Sequence, residues 1–404
     1  MSYLLNVLSG AERGVAPAAL RAATGVVEPF YATVMRVRNR MFDSGMLSSH
    51  DLGRPTISVG NITAGGTGKT PLVRWLAERL RERDRHVAVL ARGYKSSSTA
   101  GGDEQIMLER ALNMSPASGA PSEGQDEGSS RHVGEDPHPN PLPEYRERGK
   151  DGSASMLPHR YSRVELVADP DRVGAAAGVL RGDPSIDVFI LDDGFQHRRA
   201  RRHLDLVLLS APEPFGFGHV LPRGLLREPL AGLRRADACI VTHADQVSAQ
   251  DLTDIEQQVR QHHASVPIYR SVHRHVALWN RNAGVADQRK PVEMLGQTPF
   301  FAFAGIGSPD RFDRQLARWG SAYRGHRWFA DHHPYSVRDL NEVREAGRRA
   351  GAQVLVTTEK DWVKLMDLPR GDGPPIWRLE MAIEFLGDDE ARLSAQVMKV
   401  VELG

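Results

Sequence analysis

Apolar residues recur at two different spacings along this chain. Over residues 17–40, Leu20, Val26, Val27, Phe30, Tyr31, Val34, Met35 and Val37 fall at helical intervals, interrupted by Arg21 and Glu28 and followed by Arg36, Arg38 and Arg40. The spacing predicts an amphipathic helix with a basic end, bent or divided at Pro29, which has no backbone donor for the helical ladder. From residue 56 the pattern changes to short apolar runs between turn residues. Strands are predicted over 56–59, 86–90, 187–191, 204–209 and 238–242, with order resuming at 164–167. Helices are predicted over 71–83, where Leu72, Leu76 and Leu80 share a face, and over 171–180. Repeated strand–helix units of this kind imply a doubly wound parallel sheet, an α/β fold.

The pattern loosens from 275 to 295 around His273, Arg274 and Gly284, which suggests a hinge. A second, smaller α/β block follows, with strands over 300–304 and 354–358, helices over 309–319 and 336–350, and a terminal helix after Asp389. The expected organisation is a helical arm over 1–50, a nucleotide domain over 51–275 and a C-terminal α/β domain over 276–404. Residues 114–160 are rich in Pro, Ser, Gly, His and charge. Such a stretch buries too little apolar surface to offset its ordering entropy, so a disordered insertion is expected there.

Composition narrows the class. A formal net charge of +1 argues against a nucleic-acid-binding domain, which shows as a strongly basic one. The single cysteine, Cys239, lies in the apolar run Ala238-Cys239-Ile240-Val241, so no disulfide framework is possible and a reducing compartment is expected. No uninterrupted apolar run reaches the roughly 18 residues of a membrane span, and the first residues fit a cleaved signal peptide poorly. The N-terminal helix with its arginines suits a membrane interface, or else packs on its own domain.

Two motifs carry the chemistry. Thr63-Ala64-Gly65-Gly66-Thr67-Gly68-Lys69-Thr70 stands between a predicted strand and a predicted helix, the context of a phosphate loop. Backbone N–H groups freed by the glycines wrap a phosphate, Lys69 bridges phosphates and the Thr70 hydroxyl ligates Mg²⁺. Thr63 stands where the strict pattern has its first glycine. The other motif is Asp192-Asp193-Gly194-Phe195-Gln196-His197, at the end of the 187–191 strand, where a parallel sheet presents carboxylates to ligands. Asp192 can hold Mg²⁺ directly or through water. His197 either polarises an acceptor or orients Asp193. In the C-terminal block, Asp331-His332-His333 matches no zinc spacing and reads as general-base chemistry, with Asp331 or another carboxylate fixing the imidazole. Leu226-Arg227-Glu228-Pro229 and Thr357-Thr358-Glu359-Lys360-Asp361 are polar turns after apolar runs.

The chain resembles the tetraacyldisaccharide 4'-kinases, the lipid A 4'-kinases of Gram-negative bacteria. The resemblance rests on residues 59–71, Arg92-Gly93-Tyr94, Gly102-Asp103-Glu104, Asp192 to His197, Pro222 to Pro229, Gly305-Ile306-Gly307, Asp331-His332-His333 and Thr358-Glu359-Lys360-Asp361, in family order over essentially the whole chain except the insertion. It implies a P-loop NTPase-type kinase that moves the γ-phosphate of ATP, with Mg²⁺, to the 4'-hydroxyl of an acylated glucosamine disaccharide 1-phosphate. The cytoplasmic face of the inner membrane is then the partner of residues 1–42. By the same resemblance Asp103 and His332 are the pair activating the hydroxyl, assisted by Lys69 and Asp193. Thr70, Glu104, Asp192 and Asp193 order metal and phosphates, while Arg92, Tyr94, His197, Arg227 and Glu228 lie on the substrate side. Gln105 stands where the family has a proline.

Two other classes share some of these features. Val241-Thr242-His243-Ala244-Asp245 faintly resembles a guanine-reading turn, as in a GTP-dependent switch or metal-delivery protein, although His243 replaces the lysine. A soluble small-molecule kinase would use the same phosphate loop and keep its N-terminal helix packed.

Overall fold

The computed structural model describes residues 3–93, 164–280, 288–307, 309–366, 368–369 and 372–402. The N-terminal arm comprises α1 (Tyr3–Ser9) and α2 (Val15–Asp43). Then come β1 (Thr56–Asn61), α3 (Lys69–Arg81), β2 (Val87–Ala91), β3 (Val164–Ala168), α4 (Arg172–Gly182), β4 (Val188–Asp192), β5 (Leu204–Ser210), β6 (Ala238–Thr242) and α5 (Ala249–His262). The chain continues through β7 (Ile268–Asn280), β8 (Gln288–Pro291), β9 (Phe300–Gly305), α6 (Pro309–Ala317), β10 (Tyr323–Phe329), α7 (Val337–Arg349), β11 (Val354–Thr358), α8 (Glu359–Leu365), β12 (Ile376–Phe385) and α9 (Asp389–Glu402).

Among the described residues the strands form one sheet in the order β10-β9-β11-β12-β7-β6-β5-β1-β4-β2-β3, with β8 beside β7. Pairing is parallel except at β7–β12 and β7–β8. Alternate residues of one strand feed opposite faces: Ile190 of β4 joins a core with Leu72, Leu76 and Leu80 of α3 and Leu393 of α9, while Phe189 and Leu191 join Ala176 and Val179 of α4. Helices on both faces make the sheet doubly wound, as expected. Cys239 is fully buried, and burial pushes its thiol up to about 12.

The antiparallel step at β7–β12 positions the site. β6 pairs with the start of β7, Val241 opposite Arg270, whereas β12 pairs with Ser271 to Asn280. Because direction reverses there, the carboxyl ends of β1, β4, β5 and β6 come down to the level of Ser271, and that of β11 approaches from the other side, Thr358 lying opposite Leu379 and so level with Leu278. The two sets of strand ends face each other along seven residues of β7, roughly 23 Å of ideal strand. A β7–β12 ribbon forms the floor between them.

Two expectations need correction. Pro29 lies inside α2, which runs unbroken for 29 residues. Only the donor that would serve the Gly25 carbonyl is missing, and Pro29 itself is on an exposed face of the helix. The start of the loosened pattern, around 275, is regular strand: β7 runs through it to Asn280, and residues 281–287 lie outside the described residues. Its histidines, His273 and His275, are buried and its arginines, Arg270 and Arg274, half-buried in the ribbon, which disguises the strand.

Candidate active site

The phosphate loop joins the buried strand β1 to α3, which starts at Lys69, two residues before its predicted start. Neighbouring segments brace it. Asn61 donates from Nδ2 to the Thr63 carbonyl at 2.6 Å, Ala64 N–H donates to Leu225 O at 2.7 Å, and Arg227 N–H donates to Ile62 O at 2.8 Å. Thr242 Oγ1, at the end of β6, donates to Thr67 O at 2.9 Å. Gly68 takes φ +84°, and a Cβ there would fall onto the imidazole of His273 from β7. The Thr242-His243 turn thus supports the phosphate loop, and Asp245 pairs with Arg274 at 3.2 Å, which leaves the turn no likeness to a base-reading site.

Beside the loop, Asp193 leaves β4 with φ +51°. Arg227 NH1 reaches both its oxygens at 2.8 Å and Lys69 Nζ approaches to 3.5 Å. Burial alone would raise this carboxyl, but Lys69, Arg227 and Arg172 outweigh it and hold the group below the ordinary carboxylate range. Lys69 and Arg227, read from two separate motifs, therefore meet on one carboxylate. Gly194 allows the tight turn behind it, since a Cβ would lie 2.5 Å from Ser58 Oγ.

Asp192 ends β4 with part of its side chain accessible. Among the described residues no group of three His, Cys, Asp or Glu could hold a metal by itself. Mg²⁺ on nucleotide phosphates retains waters and takes only one or two carboxylates, so the chemistry of Asp192 and of the Thr70 hydroxyl fits such an ion without a larger cluster. Asp193 fits that role less well, because its oxygens are occupied by two cations.

His197 makes no hydrogen bond to Asp193. Burial, with Arg172 and Arg199 nearby, lowers its imidazole to about 4, so it is neutral. Glu228, expected on the substrate side, is turned inward: it is 1% exposed and accepts from Arg235 at 2.9 Å, Asn39 at 2.8 Å and Gln196 at 3.0 Å. It ties α2 to the segment after Asp193. Arg92 is exposed just past β2. Tyr94, Asp103 and Glu104 lie outside the described residues, as does the 114–160 insertion.

Across the ribbon, Asp331-His332-His333 follows β10. His332 takes φ +60° and is about one-third exposed. Its nearest polar neighbour is Lys360, whose Nζ lies 3.2 Å from Nε2 and 2.7 Å from Asp331 Oδ1; Asp331 itself is 3.9 Å from Nε2. His333 instead pairs with Asp339 at 3.2 Å and stacks on Phe329. No hydrogen bond or ion pair among the described residues joins His332 to the phosphate loop. Sequence reasoning missed Lys360 and His273. The Thr358-Glu359-Lys360-Asp361 turn was the available signal for the first, and nothing in the spacing points to the second.

The arm faces the site. Tyr31 Oη donates to the Arg227 carbonyl at 2.9 Å, Arg38 donates to Gln196 O at 2.8 Å, and Glu28 accepts from Val220 N–H at 3.1 Å beside His219. The opposite stripe of α2, Val26, Phe30, Val34 and Val37, is 48–78% exposed. No helix among the described residues is long and apolar enough to cross a membrane.

Comparison with known proteins identifies the family of the whole chain. The family model for "Tetraacyldisaccharide-1-P 4'-kinase" matches residues 21–116 and 140–402. Tetraacyldisaccharide 4'-kinases of Halothermothrix orenii and Geobacter sulfurreducens are 30% and 35% identical over 90% and 89% of this chain, covering 88% of each relative. The solved structure of LpxK from Aquifex aeolicus in complex with ATP superposes with a TM-score of 0.65 at 25% identity, over 95% of this chain and 99% of that one. The chain belongs to the tetraacyldisaccharide 4'-kinase family.

Proposed function

We propose that this kinase transfers the γ-phosphate of ATP to the 4'-hydroxyl of a tetraacyl glucosamine disaccharide 1-phosphate, a step of lipid A biosynthesis. The observation that carries the reading is the convergence of Lys69 and Arg227 on Asp193, beside the phosphate loop and across the ribbon from His332. Phosphoryl transfer needs positioning and charge compensation more than covalent help. The loop N–H groups and Lys69 hold the β- and γ-phosphates, and Asp193 fixes Lys69 and Arg227 where negative charge gathers. Asp192 and Thr70, with Glu104 assigned by resemblance, would hold Mg²⁺, which would supply further neutralisation.

The bond from the sugar oxygen to γ-phosphorus forms as the β–γ bridging bond breaks, and the hydroxyl proton passes to His332. With Lys360 donating to Nε2, the neutral ring carries its proton on Nδ1, an atom that is buried without a partner among the described residues. Asp103 is the acceptor we assign to it, from the resemblance alone. His197 and Arg92 are assigned to the substrate side with Tyr94. Glu228 is assigned to bracing rather than contact.

Because the acceptor carries acyl chains, the enzyme meets it at a bilayer, and the exposed stripe of α2 with Arg36 and Arg40 is proposed to lie in the cytoplasmic face of the inner membrane. Movement of the 276–404 domain about the ribbon would exclude water from the phosphoryl group. Incubation with γ-labelled ATP and a panel of acylated disaccharide 1-phosphates tests the assignment: label is expected on the 4'-position, and its absence from every lipid would end the reading. Asp103→Ala and His332→Ala are each expected to reduce transfer at least about 100-fold with unchanged circular dichroism.

A further inference from the structure

The Thr358-Glu359-Lys360-Asp361 turn is occupied on three sides. Asp361 is fully buried, accepts the Gly305 N–H at 3.0 Å and the Thr358 hydroxyl at 2.8 Å, and so fixes the start of α8 against the end of β9. Glu359 is placed between Arg74 of α3, at 3.8 Å, and Arg378 of β12, at 3.6 Å. Arg74 also meets Glu380 at 2.6 Å, and Glu380 accepts from Trp279 of β7 at 2.6 Å. The turn is therefore anchored to the helix that begins at the phosphate loop and to the ribbon beneath the cleft. From that fixed base Lys360 reaches the histidine loop, its Nζ 2.7 Å from Asp331 Oδ1 and 3.2 Å from His332 Nε2.

We propose that Lys360 is a positioning residue for the reaction: its ammonium holds His332 neutral, with the Nε2 lone pair unprotonated and directed for the acceptor hydroxyl. The inference rests on the reading of His332 as the base. An ammonium can only donate, so its 3.2 Å contact makes Nε2 the acceptor and assigns the ring proton to Nδ1. A cation this close disfavours a second positive charge on the imidazole, while Asp331, 3.9 Å from Nε2, would favour one. Lys360 intercepts that effect by binding Asp331 Oδ1 at 2.7 Å, and Asp331 is in turn held below the ordinary carboxylate range: burial would raise it, and Lys360 outweighs burial. Among the described residues these are the charged groups that meet the ring. The adjacent His333 is engaged by Asp339, and the backbone N–H of His332 donates to Asp331 at 3.0 Å, which fixes the loop in its left-handed turn. When the sugar hydroxyl arrives it takes the ammonium's place at Nε2, and Lys360 stays on Asp331.

The test is the pH dependence of kcat/KM for lipid phosphorylation by the full chain, with tetraacyl disaccharide 1-phosphate in detergent micelles and saturating Mg-ATP. The parent, Lys360→Met and Lys360→Arg are compared, together with the ¹⁵N shifts of His332 in each. Removing the cation leaves Asp331 free to favour imidazolium, so Lys360→Met is expected to move the acid limb, and the His332 midpoint, upward by about one pH unit or more. Lys360→Arg is expected to keep both near the parent's. A Lys360→Met enzyme that is slower at every pH with the limb and His332 midpoint unmoved would overturn the proposal, leaving the residue a structural part. The ¹⁵N midpoint separates this from failure of the kinase reading: a parent that labels no lipid refutes that reading, while the midpoint still decides whether Lys360 governs the ring. If the Met variant does not fold, Lys360→Gln, which keeps a donor without the charge, is expected to give the same upward shift.

Discussion

Gly68 has two independent reasons to lack a side chain: a left-handed backbone at φ +84° and the ring of His273 against its Cα. Gly68→Ala is expected to cost about 1–3 kcal/mol of stability and to raise KM for ATP more than it lowers kcat. Denaturant titration and ATP-dependence curves would check both. His273→Ala in the same chain should recover part of the loss by opening the space. Asp193→Asn makes a different prediction, since the amide fits the same volume but no longer neutralises Lys69 and Arg227. A fall in kcat of about 100-fold or more is expected with little change in Tm. At this scale the phosphate loop and the aspartate pair were legible, because their chemistry is contiguous in sequence. The pairing of Asp193 with Arg227, 34 residues apart, and the Lys360–His332 contact are made by the fold and leave no spacing to read.

At the scale of elements, α2 has two faces with different work. One contributes Tyr31, Arg38 and Asn39 to the braces around the active site, and the other exposes Val26, Phe30, Val34 and Val37. Replacing Val26, Phe30 and Val34 by serine in the full chain is expected to abolish flotation with anionic vesicles while leaving Tm near the parent's. Retained flotation would exclude the stripe as the membrane contact. Tyr31→Phe should instead cost about 1 kcal/mol of stability, read from denaturation, without affecting flotation. β1, β2, β4, β5 and β6 of the first half were legible because each is buried on both faces and reads as a short, mostly apolar run. β12 escaped notice although Trp377, Leu379, Ile383 and Phe385 alternate with Arg378, Glu380 and Glu384; its charged positions are met by Arg74, Arg274, Arg289 and Glu359 from distant segments. β7 was hidden in the same way.

The whole molecule stores several neutral histidines in its interior. Burial, the largest cause for each, lowers His273, His275 and His197 from 6.5 to about 4, and His243 to about 2. The unfolded chain takes up protons at these positions before the folded one does, so stability rises with pH across this interval. Their contribution is fully present above 6.5 and is lost as pH falls toward 4. Urea midpoints measured at stepped pH are expected to drop through that window, and a flat series would contradict the assignment of neutral buried rings.

The ribbon has a further consequence for how the polypeptide can be divided. β7 is made by residues before the expected domain boundary and crosses it, yet the strand covering its last ten positions, β12, is made about a hundred residues later. A fragment that includes β7 but ends before residue 376 would carry a long strand edge with its amides and carbonyls unpaired, the kind of edge that recruits other chains. The nucleotide half is thus expected to aggregate when expressed alone, and to become soluble when a β12 peptide is supplied in trans.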